Sequence, residues 1–344
     1  MSAEPSTSNG HANGITEDEA ALYDRQIRLW GVEAQNRMRS ASVLVVRLRG
    51  LATEVCKNIV LAGIGKLTVL DDEDIKEEDL GCGFFFREAE VGSKRTEAAR
   101  SRINALNPRV EVVASTDMSQ LTDESSLAKY DLVILSDSDA TTISRTNDLC
   151  RKLKKKFYAC GSYGLHGYIF ADLLDHEWII EKTENAQAKG DGASSSAGET
   201  VKVSVKKSQS YVPFSQALQH SFKSLSSKKQ KKLSPVLFAT LVLWEYQTRH
   251  NGSLPSSETD AATLKDLAKE VLPKHDLDPS LLSDSLLESL SVTAETEFMP
   301  TCAILGGVMG QDALNTLGGR EPPVINLFTL DGLSGMGDFY QLGL

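Results

Sequence analysis

The 344-residue sequence predicts an α/β protein built on a doubly wound, Rossmann-like parallel sheet. Two observations carry this expectation. From residue 42 to about residue 172, short apolar runs alternate with helical patterns. Those runs are apolar at successive positions, as strands covered on both faces require, rather than at every second one.

Residues 1–15 are polar and rich in Ser, Asn and Gly, and read as a disordered tail. Thr16 followed by acidic residues is a helix start. The amphipathic stretch Glu17 to Gly31 has Ala21, Leu22, Ile27, Leu29 and Trp30 as its apolar members. Ser42–Val46 is the first buried strand, followed by a turn with Gly50 and a helix from Leu51 to Ala62. Leu67–Leu70 is the next strand and ends in Asp71 and Asp72. A helix over Lys94–Leu106, a strand over Val110–Ala114 and a strand over Leu132–Leu135 ending at Asp137 follow. A helix around Ile143–Lys155 then leads to a strand at Phe157–Cys160.

Beyond about Asp172 the regular alternation stops. Residues 184–200 are of low complexity and read as a flexible loop. Eight lysines and no acid fall in residues 201–232, whereas residues 251–300 hold ten acids and three lysines. The run Lys228–Lys232 reads either as a solvated linker or as a nuclear-import signal. Helical patterns cover Pro235–Tyr246, Thr263–Leu272 and Leu281–Leu290. Thr301–Leu317 is a helix rich in small residues; three glycines at 306, 307 and 310 imply backbone-close packing, since glycine costs roughly 1 kcal/mol in a helix interior. Val324–Leu330 is a late strand able to rejoin the sheet.

The composition narrows the function classes. A net charge of −10 argues against a surface that coats nucleic acid or an anionic membrane. No apolar run approaches the roughly 18 residues of a membrane span, and the N-terminus lacks an apolar signal core. Five cysteines (Cys56, Cys82, Cys150, Cys160 and Cys302) show no CxxC spacing, which suits a reducing compartment and no structural zinc. Each reads as a small buried hydrophobe, with Cys82, between two glycines, the one expected to be most exposed.

The turn after the first strand tests for nucleotide binding. A phosphate cradle needs glycines so that backbone N–H groups can approach the phosphates. A G-x-G-x-x-G template laid on residues 47–52 meets Arg47, Arg49 and Ala52 where it needs glycine. A working cradle is therefore not expected. A dinucleotide-dependent oxidoreductase would need the same loop, although Asp71 or Asp72 could serve its ribose.

Tyr23-Asp24-Arg25-Gln26-Ile27-Arg28-Leu29-Trp30-Gly31 resembles the entry motif of the enzymes that activate ubiquitin-like modifiers and of their bacterial ThiF/MoeB relatives. The Ser42–Val46 strand, Lys57–Asp71 and Pro300–Gly318 follow in the family's order. The resemblance covers nearly the whole chain outside 177–295. Length, Gly164–Tyr168, Phe328–Gly332 and the short C-terminus are most similar to the smaller, non-catalytic subunits of heterodimeric SUMO-activating enzymes. It implies a ThiF/MoeB-like adenylation fold: a tail at 1–15, an N-terminal part at 16–176, an insert at 177–295 with a disordered loop at 184–232 and helices, and a C-terminal part at 296–344.

The resemblance also implies what is missing. The family's ribose- and phosphate-gripping S-N-L-N-R-Q stretch falls on Glu78-Asp79-Leu80-Gly81-Cys82-Gly83, and its following lysine on Arg95. Asp72 and Asp137 remain as carboxylates at strand ends, here read as solvent-exposed, with 71–74 as a solvated acidic loop. The family's nucleophilic cysteine lies in the inserted region, yet residues 161–301 contain no cysteine. What survives is Arg25, whose family counterpart reaches ATP phosphates held by the other half of the dimer; Arg28 is a weaker second candidate.

The implied function is that of a regulatory, pseudo-adenylation subunit. The expected partners are a large catalytic subunit, which binds Mg-ATP and carries the thioester, and SUMO through the complex, in the nucleus. No cofactor or metal is expected in this chain alone, and no nucleic acid or membrane as partner. Two alternatives stay open: a regulatory subunit serving the cullin-modifying ubiquitin-like protein, and an active homodimeric ThiF/MoeB-like adenylyltransferase.

Overall fold

The computed structural model describes residues 15–185 and 200–344, so the expected tail lies almost wholly outside the described residues. Thr16 caps α1 (Glu17–Leu22) through a reciprocal pairing with Glu19. The helix expected over 17–31 is not continuous. The chain turns at Tyr23 and resumes as α2 (Asp24–Ser40), itself interrupted at Gly31, where φ is 85°. Tyr23 is buried, and its hydroxyl accepts a 2.7 Å hydrogen bond from Asn107. The apolar members Leu22 and Leu29 point instead into solvent, Leu29 being 78% exposed.

The alternating pattern then forms as expected: β1 (Ser42–Val46), α3 (Gly50–Leu61), β2 (Lys66–Leu70), α4 (Arg95–Leu106), β3 (Glu111–Ser115), the short α5 (Glu124–Leu127), β4 (Leu132–Ser136), α6 (Ala140–Lys152) and β5 (Lys156–Tyr163). These five strands are parallel in the order β3-β2-β1-β4-β5, so the topological switch lies between β1 and β4. A hairpin to β6 (His166–Asp172) reverses the direction.

The long disordered loop expected at 184–232 is largely ordered. β7 (Asp175–Asn185) and β8 (Thr200–Ser210) form a separate antiparallel ribbon, and short helices α7 (Phe214–Ala217) and α8 (Ser227–Gln230) follow. The reason is visible in the burial: Tyr211, Phe214 and Phe222 anchor this basic stretch in the core. Only residues 186–199 of that expectation lie outside the described residues.

Nor do α9 (Pro235–Arg249), α10 (Asp260–Lys274) and α11 (Asp284–Thr293) make a separate insert. Their apolar faces share one core with α6 and with alternate side chains of β1, β4, β5 and β6, including Leu44, Val133, Phe157 and Phe170. The opposite face of the sheet carries α3, α4 and α12 (Met299–Gly318), packed on Val43, Val45, Ile134 and Tyr158. β9 (Leu327–Asp331) and β10 (Met336–Tyr340) extend the sheet antiparallel beyond β6, giving eight strands.

The small-residue helix behaves as its composition requires. A Cβ on Gly306 would collide with Glu54, and one on Gly310 would lie 2.8 Å from the Asn58 Cβ. Asn58 Nδ2 in turn donates to the Gly306 carbonyl at 3.2 Å. The α3–α12 pair therefore packs almost backbone to backbone, and it fixes the residue preceding α12 against the first turn of α3.

Candidate functional site

The crevice above the carboxyl ends of β1, β2 and β4 is where an open α/β sheet places its ligands. Here it is filled by the chain's own charged groups. The Gly50 N–H at the start of α3 donates to Glu297 Oε2 at 3.0 Å. A helix N-terminus carries roughly half a positive charge and receives anions, and in this chain the anion is a side-chain carboxylate. Glu297 is brought there by the α3–α12 contact, immediately before Phe298 caps α12. Arg49 Nε lies 3.7 Å from the same carboxylate, and Arg49 Nη2 donates to the Glu295 carbonyl.

Burial and the neighbouring Asp137 push the Glu297 carboxyl above its ordinary range, while Arg49 and the Gly50 and Leu51 N–H groups oppose this. Burial works against the Arg49 charge, but Asp137 and Glu297 outweigh it and hold the guanidinium protonated. The crevice is thus a closed electrostatic unit of carboxylates, an arginine and a helix end.

Arg95, the residue at the lysine position, is equally committed. Its side chain is 2% exposed and forks onto Asp79, with Nη2 at 2.9 Å and Nε at 3.0 Å from Oδ2. Nη1 reaches Glu73 at 3.0 Å and Asp71 at 3.4 Å. Asp71 further accepts the Leu48 N–H at 2.8 Å, which ties the arginine-bearing turn to this network. Arg47 Nη1 pairs with Glu73 at 3.1 Å. The acidic stretch 71–74 is therefore not a solvated loop, because Asp71 is buried and Glu73 is shared by two arginines. Asp137 is half-buried rather than exposed, and accepts from the Ser162 N–H and the Ser136 hydroxyl. Asp72 is exposed, as expected.

All five cysteines are buried and unpaired, Cys82 included, contrary to its expected exposure. Its Cβ lies against Gly50, and burial with Glu297 nearby raises its pKa. Burial raises the other four as well, Cys150 to about 12, so each thiol stays protonated at neutral pH. Among the described residues, no group of three or more His, Cys, Asp or Glu side chains is placed to hold a metal ion.

Arg25 stands apart from this network. It lies on the first turn of α2, is exposed, and makes no hydrogen bond or ion pair among the described residues. The acid beside it, Asp24, is taken by Arg28 at 3.0 Å in an i,i+4 pair. Arg25 thus projects from the molecule beside the exposed Leu22 and Leu29, while Arg28 is already engaged.

The ThiF family model matches residues 23–342. The chain belongs to the ThiF family. It is 37% identical over 342 residues to the human protein named SUMO-activating enzyme subunit 1, covering 96% of this chain and 97% of that one. The Xenopus laevis protein of the same name is 36% identical, and the Saccharomyces cerevisiae DNA damage tolerance protein RHC31 is 33% identical over 336 residues. Among solved structures, Escherichia coli MccB aligns with a TM-score of 0.53 at 13% identity, over 93% of this chain and 71% of that one. PaaA aligns at 0.58 and 14%, over 97% and 86%. At these identities the structural likeness speaks for the fold alone.

ThiF-family adenylating enzymes use Mg-ATP, and the residues of this chain do not fit it. A phosphate at the start of α3 would displace Glu297 from the Gly50 N–H while facing Asp137. The guanidinium nearest to it, Arg49, is already held by Glu297 and the Glu295 carbonyl, and Arg95 is consumed by three carboxylates. Glu297 was not apparent from sequence, because nearly 250 residues separate it from Gly50. Its one local signal is an acid set just before the Phe-Met-Pro start of a helix.

Proposed function

We propose that this chain is the smaller, non-catalytic subunit of a heterodimeric SUMO-activating enzyme. In this reading the large partner subunit holds Mg-ATP, adenylates the C-terminal glycine of SUMO, and receives the acyl group on its own cysteine. This chain completes the dimer and supplies Arg25 to the partner's phosphates. A guanidinium brought up to developing phosphate charge lowers the barrier electrostatically, without itself reacting.

The Glu297 carboxylate on the Gly50 N–H carries the reading, since a subunit that fills its own cradle needs a partner for the nucleotide. Arg25 supports the trans role by being exposed and uncommitted on a helix with an unburied apolar face. The same occlusion disfavours an active homodimer. Similarity over nearly the full length of both chains to proteins named for SUMO activation favours SUMO over the cullin-modifying protein. The exposed lysines 228, 229, 231 and 232 support a nuclear location.

Arg25→Ala is the direct test. The account expects the variant to assemble normally with the large subunit and to slow single-turnover SUMO-adenylate formation by about 100- to 1,000-fold, the span of one lost transition-state charge contact. An unchanged rate in an intact heterodimer removes the role assigned to Arg25.

A further inference from the structure

A guanidinium acts on phosphate charge only from the right place, since a misplacement of about 1 Å can cost about 100-fold in rate. Arg25 has no side-chain partner among the described residues, so its place is set by the backbone that carries it. That backbone is thinly held. Among the described residues before Ala34, Tyr23 is the one that is buried.

Tyr23 sits at the elbow between α1 and α2, at φ −101° and ψ 16°. Its N–H donates to the Glu19 carbonyl at 2.9 Å, and its own carbonyl accepts the Ile27 N–H at 2.8 Å, so both helices hang from this residue. The two N–H bonds of Asn107 Nδ2 go to the Tyr23 hydroxyl and, at 3.0 Å, to the Val60 carbonyl in the last turn of α3. Gly63, just after α3, has φ 81°, and a Cβ there would run into the Tyr23 ring. The last carbonyls of a helix lack intrahelical donors and take side chains instead. Here they seat the elbow.

The far side of Arg25 is tied to the same place. α2 breaks at Gly31, a point at which the preceding turns are otherwise free to swing. Trp30 Nε1 donates across the break to Gln35 Oε1 at 3.0 Å, and Gln35 Nε2 donates to the Ala62 carbonyl at 3.0 Å. Gln35 is buried, so this second tie is shielded from water. Residues 24–30 are therefore clamped at both ends to the carboxyl end of α3, the helix whose amino end Glu297 closes.

We propose that Tyr23 is a positioning residue for adenylation: with its hydroxyl on Asn107 and its ring on Gly63, it fixes the elbow two residues before Arg25 and so aims the guanidinium at the partner's phosphates. The proposal rests on the reading of Arg25 as the group supplied in trans. Tyr23 itself touches neither nucleotide nor SUMO in this account.

Single-turnover SUMO-adenylate formation by the assembled heterodimer with Mg-ATP tests it, comparing Tyr23→Ala, Arg25→Ala and the double variant. Tyr23→Ala should slow the step at least about tenfold. With Arg25→Ala already in place it should cost nothing further, because Tyr23 acts only through that guanidinium. A general loosening of the fold would slow both backgrounds alike. Tyr23→Phe keeps the ring on Gly63 and loses one hydrogen bond. It should slow the step about two- to tenfold, again only where Arg25 is present, and it carries the test if the alanine variant does not assemble. Full speed in the assembled Tyr23 variants, or equal slowing in both backgrounds, overturns the proposal and leaves the role of Arg25 standing. Full speed in Arg25→Ala itself overturns the reading beneath it, and the proposal with it.

Discussion

At the scale of single residues, the molecule's chemistry is decided by which charged groups have partners. Arg95 and Arg49 are locked to carboxylates, whereas Arg25 is uncommitted. The sequence marked Arg47, Arg49 and Ala52 as wrong for a phosphate cradle, because bulk where glycine is needed is a local property. It could not mark Glu297, or the Arg95–Asp79 fork, because those contacts exist only once α12 and the loop after β2 are in place. His176 gives a residue-level prediction. Its pKa falls from about 6.5 unfolded to about 4 folded, so its contribution is complete above pH 6.5 and is lost as pH falls towards 4. At roughly 1.4 kcal/mol per unit, wild type should lose about 2.5 kcal/mol by pH 4.5 through this residue. His176→Phe keeps the ring beside Trp178 and cannot charge. Its urea midpoint should fall less between pH 7 and 4.5 than that of wild type; parallel declines would show that His176 is not the group responsible.

At the scale of elements, strands and their parallel pairing are plain from sequence, since β1 and β4 are apolar at consecutive positions and so demand cover on both faces. The order of the basic stretch after Thr200 is not legible in the sequence, because its charge masks three aromatic anchors spaced too irregularly to form a pattern. The α1–α2 region departs in another way: amphipathicity implies burial, yet Leu22 and Leu29 find no cover within the described chain. The small residues of α12 pack as their composition requires, and they supply a paired prediction. Gly306→Ala should destabilise by about 1–3 kcal/mol, the usual cost of overpacking, because Glu54 and the Leu51 carbonyl leave no room. Gly307→Ala, one residue on and facing open space, should stabilise by about 0.5–1 kcal/mol through helix propensity. Thermal denaturation of both variants reads the contrast. Equal effects would mean that α3 and α12 are not in backbone-close contact.

At the scale of the whole molecule, a complete ThiF fold surrounds a nucleotide crevice closed by its own side chains. The fold persists because the α3–α12 contact, the doubly covered sheet and the Arg95 network do not depend on a ligand. Its N-terminal helix carries Arg25, which has no side-chain partner among the described residues. The measurement that bears most directly on this account is SUMO-dependent ATP–pyrophosphate exchange by this chain alone, by the large subunit alone, and by the two combined. The account predicts background exchange from this chain alone and robust exchange from the mixture. Exchange by this chain alone would contradict it, since Glu297 would then have to yield the Gly50 N–H to a phosphate.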